Sequence, residues 1–376
     1  MTTMPDLNSA VVGEELNPLA FDFADYANIE DMLDRINASD ERIEINLAEM
    51  SVNGRVLEEP MEKYLATKAI SSSAIKEALK SPQHFWFYMN DRTEKGTKKH
   101  FELGTFAHMA FLEPELFDLV IVEPDAPLNT KEGVQTHVDF WEAKSNKFIK
   151  ASAQTEVELL GLDITKMDGK REYIKQLKAQ SKYKSVEDGH FQVIKWLKRN
   201  YTTYGGGILQ KIFAGAKAEV SFYGVDAETG LDVKIRPDAF NIEENIGVNA
   251  IISVKTTKAA TKGKFELDCA SYGYHVSEAM YQKVATDITG RKFNATIMVM
   301  LQTEPPYLLA VFWWNPSDLH AGRMRYDHAM QTVSEAFDKK LFPGFDAYAE
   351  AGHYGIIQME LPYWIQKEVD PMDIEE

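Results

Sequence analysis

One cysteine, Cys269, stands in 376 residues. That excludes a disulfide framework and any cysteine-rich zinc site, and it fits a reducing cytoplasm. No run of about 18 apolar residues occurs, so no membrane-spanning helix is expected. The opening residues, MTTMPDLNSAVVGEELNP, carry neither a basic stretch nor an apolar one, so no secretory leader is expected there. Internal repeats and low-complexity runs are missing too. A hydrophobic share of 44% over this length suffices for a sizeable core, in one large domain or two.

Positive charge is scarce as well. The chain carries 41 Lys+Arg against 58 Asp+Glu, a net charge of −17, which at first sight argues against a nucleic-acid binder. The deficit is concentrated. Residues 1–62 hold 15 acidic residues against Arg35, Arg42 and Arg55, a net of −12, which leaves −5 for the other 314 residues. Between Lys144 and Lys217 the balance reverses to 15 basic against 7 acidic residues. Screening limits each patch to a reach of about 10 Å at ordinary salt, so a basic middle attracts phosphates even on an acidic chain. The competing reading is that lysines such as Lys175, Lys178 and Lys182 solvate a helix face.

Residues 1–66 read as an acidic, weakly ordered extension with one short helix near Ile29–Ile36. The serines 71–73 cap a helix with an apolar stripe at Ala74, Ile75, Ala78 and Leu79; Pro82 stops it, and a second helix carries Phe85, Trp86 and Tyr88. Residues 101–114 have helical spacing and are apolar on nearly all sides, which predicts a buried helix with His108 in its middle. On spacing alone, such a histidine is a hydrogen-bonded core residue. Residues 135–200 read as helices, broken at Gly205, Gly206 and Gly207. From Ala216 the pattern turns to strands. Residues 218–225 and 231–236 form a hairpin around the 226–230 turn, and 250–255 is a more buried third strand. A helix at 275–288, strands at 295–301 and 307–314 split by Pro305 and Pro306, and a long helix over 318–341 follow. The end of the chain, 369–376, is polar.

The chemistry lies in the strands. Arg236-Pro237-Asp238 ends the hairpin, and Ser253-Val254-Lys255-Thr256-Thr257 lies on the third strand. Phosphodiester hydrolysis needs one or two divalent cations on oxygen ligands, an activated water and positive charge at the phosphate. Asp238 is placed to be a metal carboxylate. Ser253 and Lys255, two apart on a strand, share a face, where Lys255 can orient water or stabilise developing charge. Glu219, opening the first strand, can add a second carboxylate.

In five ordered blocks the chain resembles the PD-(D/E)XK nuclease superfamily, and within it the RecE-like exodeoxyribonucleases of phages and prophages. The blocks are residues 70–85, with the Ser81-Pro82-Gln83-His84-Phe85 step; residues 103–114, with Gly104, His108 and Leu112-Glu113-Pro114; Arg236-Pro237-Asp238; Val254-Lys255-Thr256-Thr257; and Tyr274–Tyr281. The resemblance implies an α/β fold with a restriction-endonuclease-like core, a mixed central sheet flanked by helices, and a helical N-terminal elaboration. The expected nuclease domain is 67–345, helical over 67–215 and sheet-rich over 216–345, followed by a C-terminal segment 346–376. It also implies His108 as a metal or phosphate partner, the Val254 backbone carbonyl as a metal ligand, and DNA contacts from Tyr281, Ser277, Thr256, Thr257 and Arg236. The implied cofactor is Mg²⁺ or Mn²⁺. The implied partners are the ends of double-stranded DNA, further copies of the chain in a ring, and a single-strand annealing recombinase, in a bacterial cytoplasm and with no membrane.

The chain departs from the family in two places. The second metal acid of the family is Ser253 here, and a family glutamine four residues before the helix tyrosine is Ser277. A hydroxyl is a poor ligand for a hard dication. Either the acid has moved, to Glu278 or to Glu219, and an exodeoxyribonuclease remains, or the fold persists as a DNA-binding or partner-binding module without catalysis.

Overall fold

A computed structural model of the chain describes residues 21–91, 99–112, 119–186 and 188–360, with the side chains of 99–105 left aside. Its centre is a five-stranded mixed sheet in the order β10-β9-β8-β7-β4. Strands β8 (Ala250–Thr257) and β9 (Ala295–Gln302) pair in parallel, Ala250 opposite Ala295 through Thr257 opposite Gln302. Both are nearly continuous apolar runs, as strands covered on two faces must be. A parallel pair needs a crossover. Helices α9 (Lys262–Ser271) and α10 (Tyr274–Thr289) supply it. Strand β10 (Leu309–Trp313) returns antiparallel to β9 after the Pro305-Pro306 turn, while β7 (Ala239–Asn241) and β4 (Lys217–Ala218) extend the other side.

A second sheet, β1-β5-β6, comes from β1 (Arg55–Glu58), β5 (Val220–Val225) and β6 (Asp232–Ile235). One hairpin feeds both sheets. Its outer half is β5 and β6, joined by a turn in which Asp226 caps Thr229; its inner half is β4 and β7. The pairing keeps one register through the bend, so Glu219 falls opposite Asp238, and the Glu219 amide donates to the Asp238 carbonyl at 3.1 Å. Glu219 itself has φ +53°, a left-handed backbone that costs a side-chain-bearing residue about 1–3 kcal/mol. The hairpin turns from one sheet to the other at that residue.

Helix α10 is buried on most of its faces and packs against both sheets. It also lies against α11 (Pro316–Lys339) so closely that a Cβ on Gly322 would sit 2.2 Å from the His275 carbonyl oxygen. Ile70 bridges to Val233 of β6 and so sets α2 (Ser72–Ala78) beside α10. Ser71 caps α2, and Ser81 with Pro82 starts α3 (Pro82–Asn90). Helix α4 (Lys99–Leu112) puts Ala107, Met109, Ala110 and Phe111 into a core shared with Val254 and Val299. Helices α5 (Lys131–Lys144), α6 (Lys147–Leu159) and α7 (Met167–Gln180) enclose their own small core around Trp141 and Leu177. The short parallel strands β2 (Val120–Val122) and β3 (Lys184–Val186) lie between α4 and α8 (Asp188–Thr203) in the chain. No helix among the described residues is long and apolar enough to cross a membrane.

The acidic extension is a correction. From residue 21 it is part of the fold, not a loose tail. Helix α1 (Ile29–Ala38) buries Met32 and Ile36, each burial worth about 1.5–3 kcal/mol, and Arg35 ties it to the Glu244 carbonyl at 2.7 Å. Strand β1 pairs with β5 over its whole length. Residues 1–20 and 361–376, the polar end 369–376 among them, lie outside the described residues.

Candidate metal centre

Asp238 closes the hairpin at its bend, where the proline before it cannot continue the ladder. Its carboxylate is aimed by two donors on β8: the Val254 amide at 2.6 Å and the Lys255 ammonium at 2.8 Å, both on Oδ2. Oδ1 faces the other way, 3.6 Å from Nδ1 of His108 on α4. Glu219, opposite Asp238, completes a group of three. Ligand atoms of His108, Glu219 and Asp238 all lie within 4.8 Å of one another. That spacing lets one ion sit about 2.0–2.6 Å from each, and an imidazole with two carboxylates is a donor set that fits a divalent cation.

Burial would push the Asp238 carboxyl up, but the charges of Lys255 and His108 and the two hydrogen bonds hold it below its ordinary value. Burial likewise works against the Lys255 ammonium; Asp238 first, then Glu278, more than offset it and raise Lys255 above the lysine range. Asp238 thus holds Lys255 in its charged form. Burial raises the Glu219 carboxyl, only partly countered by Arg236.

Ser253, where the resemblance implies an acid, is fully buried, and its hydroxyl donates to both oxygens of Glu278 at 2.8 and 2.9 Å. A carboxylate thus approaches this spot from helix α10 in place of strand β8. Burial pushes Glu278 up to about 7 against the pull of Lys255. Of the two candidate replacements, Glu219 enters the three-ligand group; Glu278 stands beside Ser253, outside it.

Some residues assigned to DNA fall elsewhere. Arg236 is buried and turned inward: Nε donates to Glu219 at 2.9 Å, and Nη1 to the Glu59 carbonyl and the Ser221 hydroxyl, both at 2.9 Å. It orients a metal ligand. Ser277 is buried on α10, too deep for a nucleic-acid backbone. Val254 brings its amide to Asp238 while its side chain packs in the core. Thr256 and Thr257 are half-buried at the end of β8. Tyr281 lines a groove of about 990 Å³ with Tyr64, Phe87, Tyr88 and Arg236, and its hydroxyl lies 3.4 Å from that of Ser72. Two neighbours of the site went unnoticed in the sequence. Tyr274 has the Lys255 ammonium 5.8 Å from its ring centre on one side, and Lys76 approaches the same ring at 5.9 Å.

Comparisons with known proteins give one family and two distant solved structures. No curated protein sequence matches the chain. Among solved structures, a crystal structure described as "Putative exonuclease" from Eubacterium rectale aligns with 12% identity and a TM-score of 0.44 over 83% of this chain and 99% of that one. That of SSO0001 aligns with 14% identity and a TM-score of 0.21 over 61% and 84%. A family model matches residues 71–351, three quarters of the chain, from the start of α2 past the end of α11. With that match, and with the hairpin, β8 and α10 around Asp238 and Lys255, the chain belongs to the family described as PDDEXK-like domain of unknown function (DUF3799).

Proposed function

We propose that this chain is a metal-dependent exodeoxyribonuclease that digests linear double-stranded DNA from its ends. One observation carries the reading: His108, Glu219 and Asp238 converge within 4.8 Å beside the Lys255 ammonium that holds Asp238. A scatter of unrelated polar residues would not put a fixed cation on one carboxylate of a three-ligand group. The cation is Mg²⁺ or Mn²⁺. When bound, it supplies Lewis acidity and a water of low pKa. The chain's own groups do the rest. His108, Glu219 and Asp238 hold the ion; Arg236 fixes Glu219 through Oε2; Lys255 keeps positive charge where phosphate charge develops. Glu278, poised near neutrality beside Ser253, takes the proton given up by the attacking water at its carboxylate.

The reading extends to assembly. The basic residues of 144–217 track the DNA backbone without reading sequence, in a ring of copies working with a single-strand annealing recombinase. Exposed apolar side chains on the helical part, Phe148, Leu159, Leu160 and Trp196, support a protein contact there. The alternative is DNA binding without cleavage, which Ser253 favours. The test is digestion of end-labelled linear duplex in Mg²⁺ and in Mn²⁺, with closed circular DNA as control. Release from linear DNA alone, abolished by Lys255→Ala, is the expected result. Binding without release in either metal would establish the alternative, and cutting of the closed circle would refute end-dependence.

A further inference from the structure

Helices α2 and α10 run in opposite directions above the sheet: Ser72 meets Tyr281 at one end, and one turn further along α2, Lys76 meets Tyr274 at the other. On α10, Tyr274, Glu278 and Tyr281 are four and three residues apart and so share a face. Lys76 and Lys255 approach the same Tyr274 ring, at 5.9 and 5.8 Å. The Lys76 stem lies along Gly273, where a Cβ would meet its Cδ at 3.3 Å. Lys76 therefore stands on the rim of the metal cluster, one aromatic ring away from the lysine inside it.

Among the described residues, the Lys76 ammonium has neither a hydrogen bond nor an ion pair, while its half-buried or buried counterparts nearby are all engaged. Lys255 holds Asp238 at 2.8 Å, Lys283 holds Asp287 at 2.6 Å, and Lys234 reaches the Tyr64 and Thr67 carbonyls at 2.7 Å. Burial first and then the charge of Lys255 lower its pKa, against the smaller opposing pulls of Glu278 and Glu77, so an arriving anion is favoured. A half-buried cation held without a partner beside a candidate phosphodiester site fits a partner carried in by the substrate.

Resting on the nuclease reading above, we infer that Lys76 is a backbone-phosphate site: it takes the DNA phosphate next to the one at the metal cluster, with the Ser72 and Tyr281 hydroxyls as neutral donors on the same rim. The test uses two variants of the full chain. Lys76→Met keeps the stem and deletes the charge; Lys76→Arg keeps the charge. Binding of a fluorescent linear duplex is followed over a salt series with Ca²⁺ in place of Mg²⁺. Lys76→Met should weaken binding about tenfold and flatten the slope of log K against log salt by about 0.9, with Lys76→Arg restoring both. Mn²⁺ affinity, measured without DNA, should not move. An unchanged slope overturns the inference. An unchanged slope with an alkaline shift of the pH–rate profile does so by showing Lys76 to be only a counter-charge for Glu278. A wild type that neither binds nor cuts duplex DNA refutes the nuclease reading itself, and it does so before any variant is made.

Discussion

Glu278→Gln should make this protein more stable and less active. Glu278 is about as buried as a carboxylate can be, 1% exposed, and its proton affinity rises from the ordinary 4.5 to about 7. A group whose folded pKa lies above its unfolded one contributes full stability below the unfolded value and loses it as pH rises through the folded value. Here the loss begins near pH 4.5 and is complete above pH 7. At 1.36 kcal/mol for each pKa unit, it amounts to about 3 kcal/mol. Glutamine has nearly the same shape, keeps an oxygen for the Ser253 hydroxyl, and carries no charge at any pH. The variant should therefore match the wild type in urea unfolding near pH 4.5 and exceed it by up to about 3 kcal/mol at pH 8.5, both with EDTA present. Its nuclease activity should fall about a hundredfold or more, as when a function-bearing strained group is relieved. A variant less stable than wild type at pH 8.5 would refute the reasoning, because the ionised carboxylate would then be a net stabiliser through Lys255 and Ser253.

Further consequences concern the same site and its frame. Asp238→Asn removes the central ligand and releases Lys255, so Mn²⁺ affinity measured by calorimetry should drop at least about a hundredfold. Ser253→Asp alone sets a second carboxylate against Glu278 in a buried place and should destabilise the metal-free protein by about 2–4 kcal/mol in urea unfolding. Combined with Glu278→Ser, it moves the carboxylate from α10 to β8, and stability and digestion of linear duplex should both stay near the wild-type level. Gly322→Ala drives a methyl into the His275 carbonyl, so α10 and α11 must part; a loss of about 1–3 kcal/mol in urea unfolding is expected, and an unchanged midpoint would contradict the close approach.

The strands that carry Asp238 and Lys255 were legible because their chemistry is local: a proline ends one strand and an unbroken apolar run marks the other. The long helices α10 and α11 were legible from period alone. What the sequence hid depends on distant partners. Strand β1 looks like acidic tail because its apolar residues are few, and only pairing with β5 makes it a strand. Strand β7 has three residues, too few for a period. Helix α9 mixes Lys, Gly, Glu and Asp without an apolar stripe. Arg236 sits in a motif beside a metal acid and looked available to DNA, yet a buried guanidinium is satisfied by whatever acceptors the fold brings, here Glu219 and two neighbours. Lys76 gave no signal, since a lysine on a short helix usually faces water. The contact of Ser253 with Glu278 lies across a strand and a helix, and the place of Glu219 inside the three-ligand group depends on the bend.

That bend makes the hairpin a ruler. Glu219 and Asp238 are held abreast by a backbone hydrogen bond and a register continuous across two sheets, so their separation does not depend on side-chain packing. Slipping either arm by one residue would turn one ligand to the opposite face while leaving both strands paired. The arms are buried on both faces, and no length change between the ladder's end at Val225 and Asp232 and the bend can be absorbed. The helix carrying Glu278 has no such gauge: it needs only to stay packed. Moving an acid along α10 therefore disturbs the geometry less than shifting either member of the pair across the hairpin.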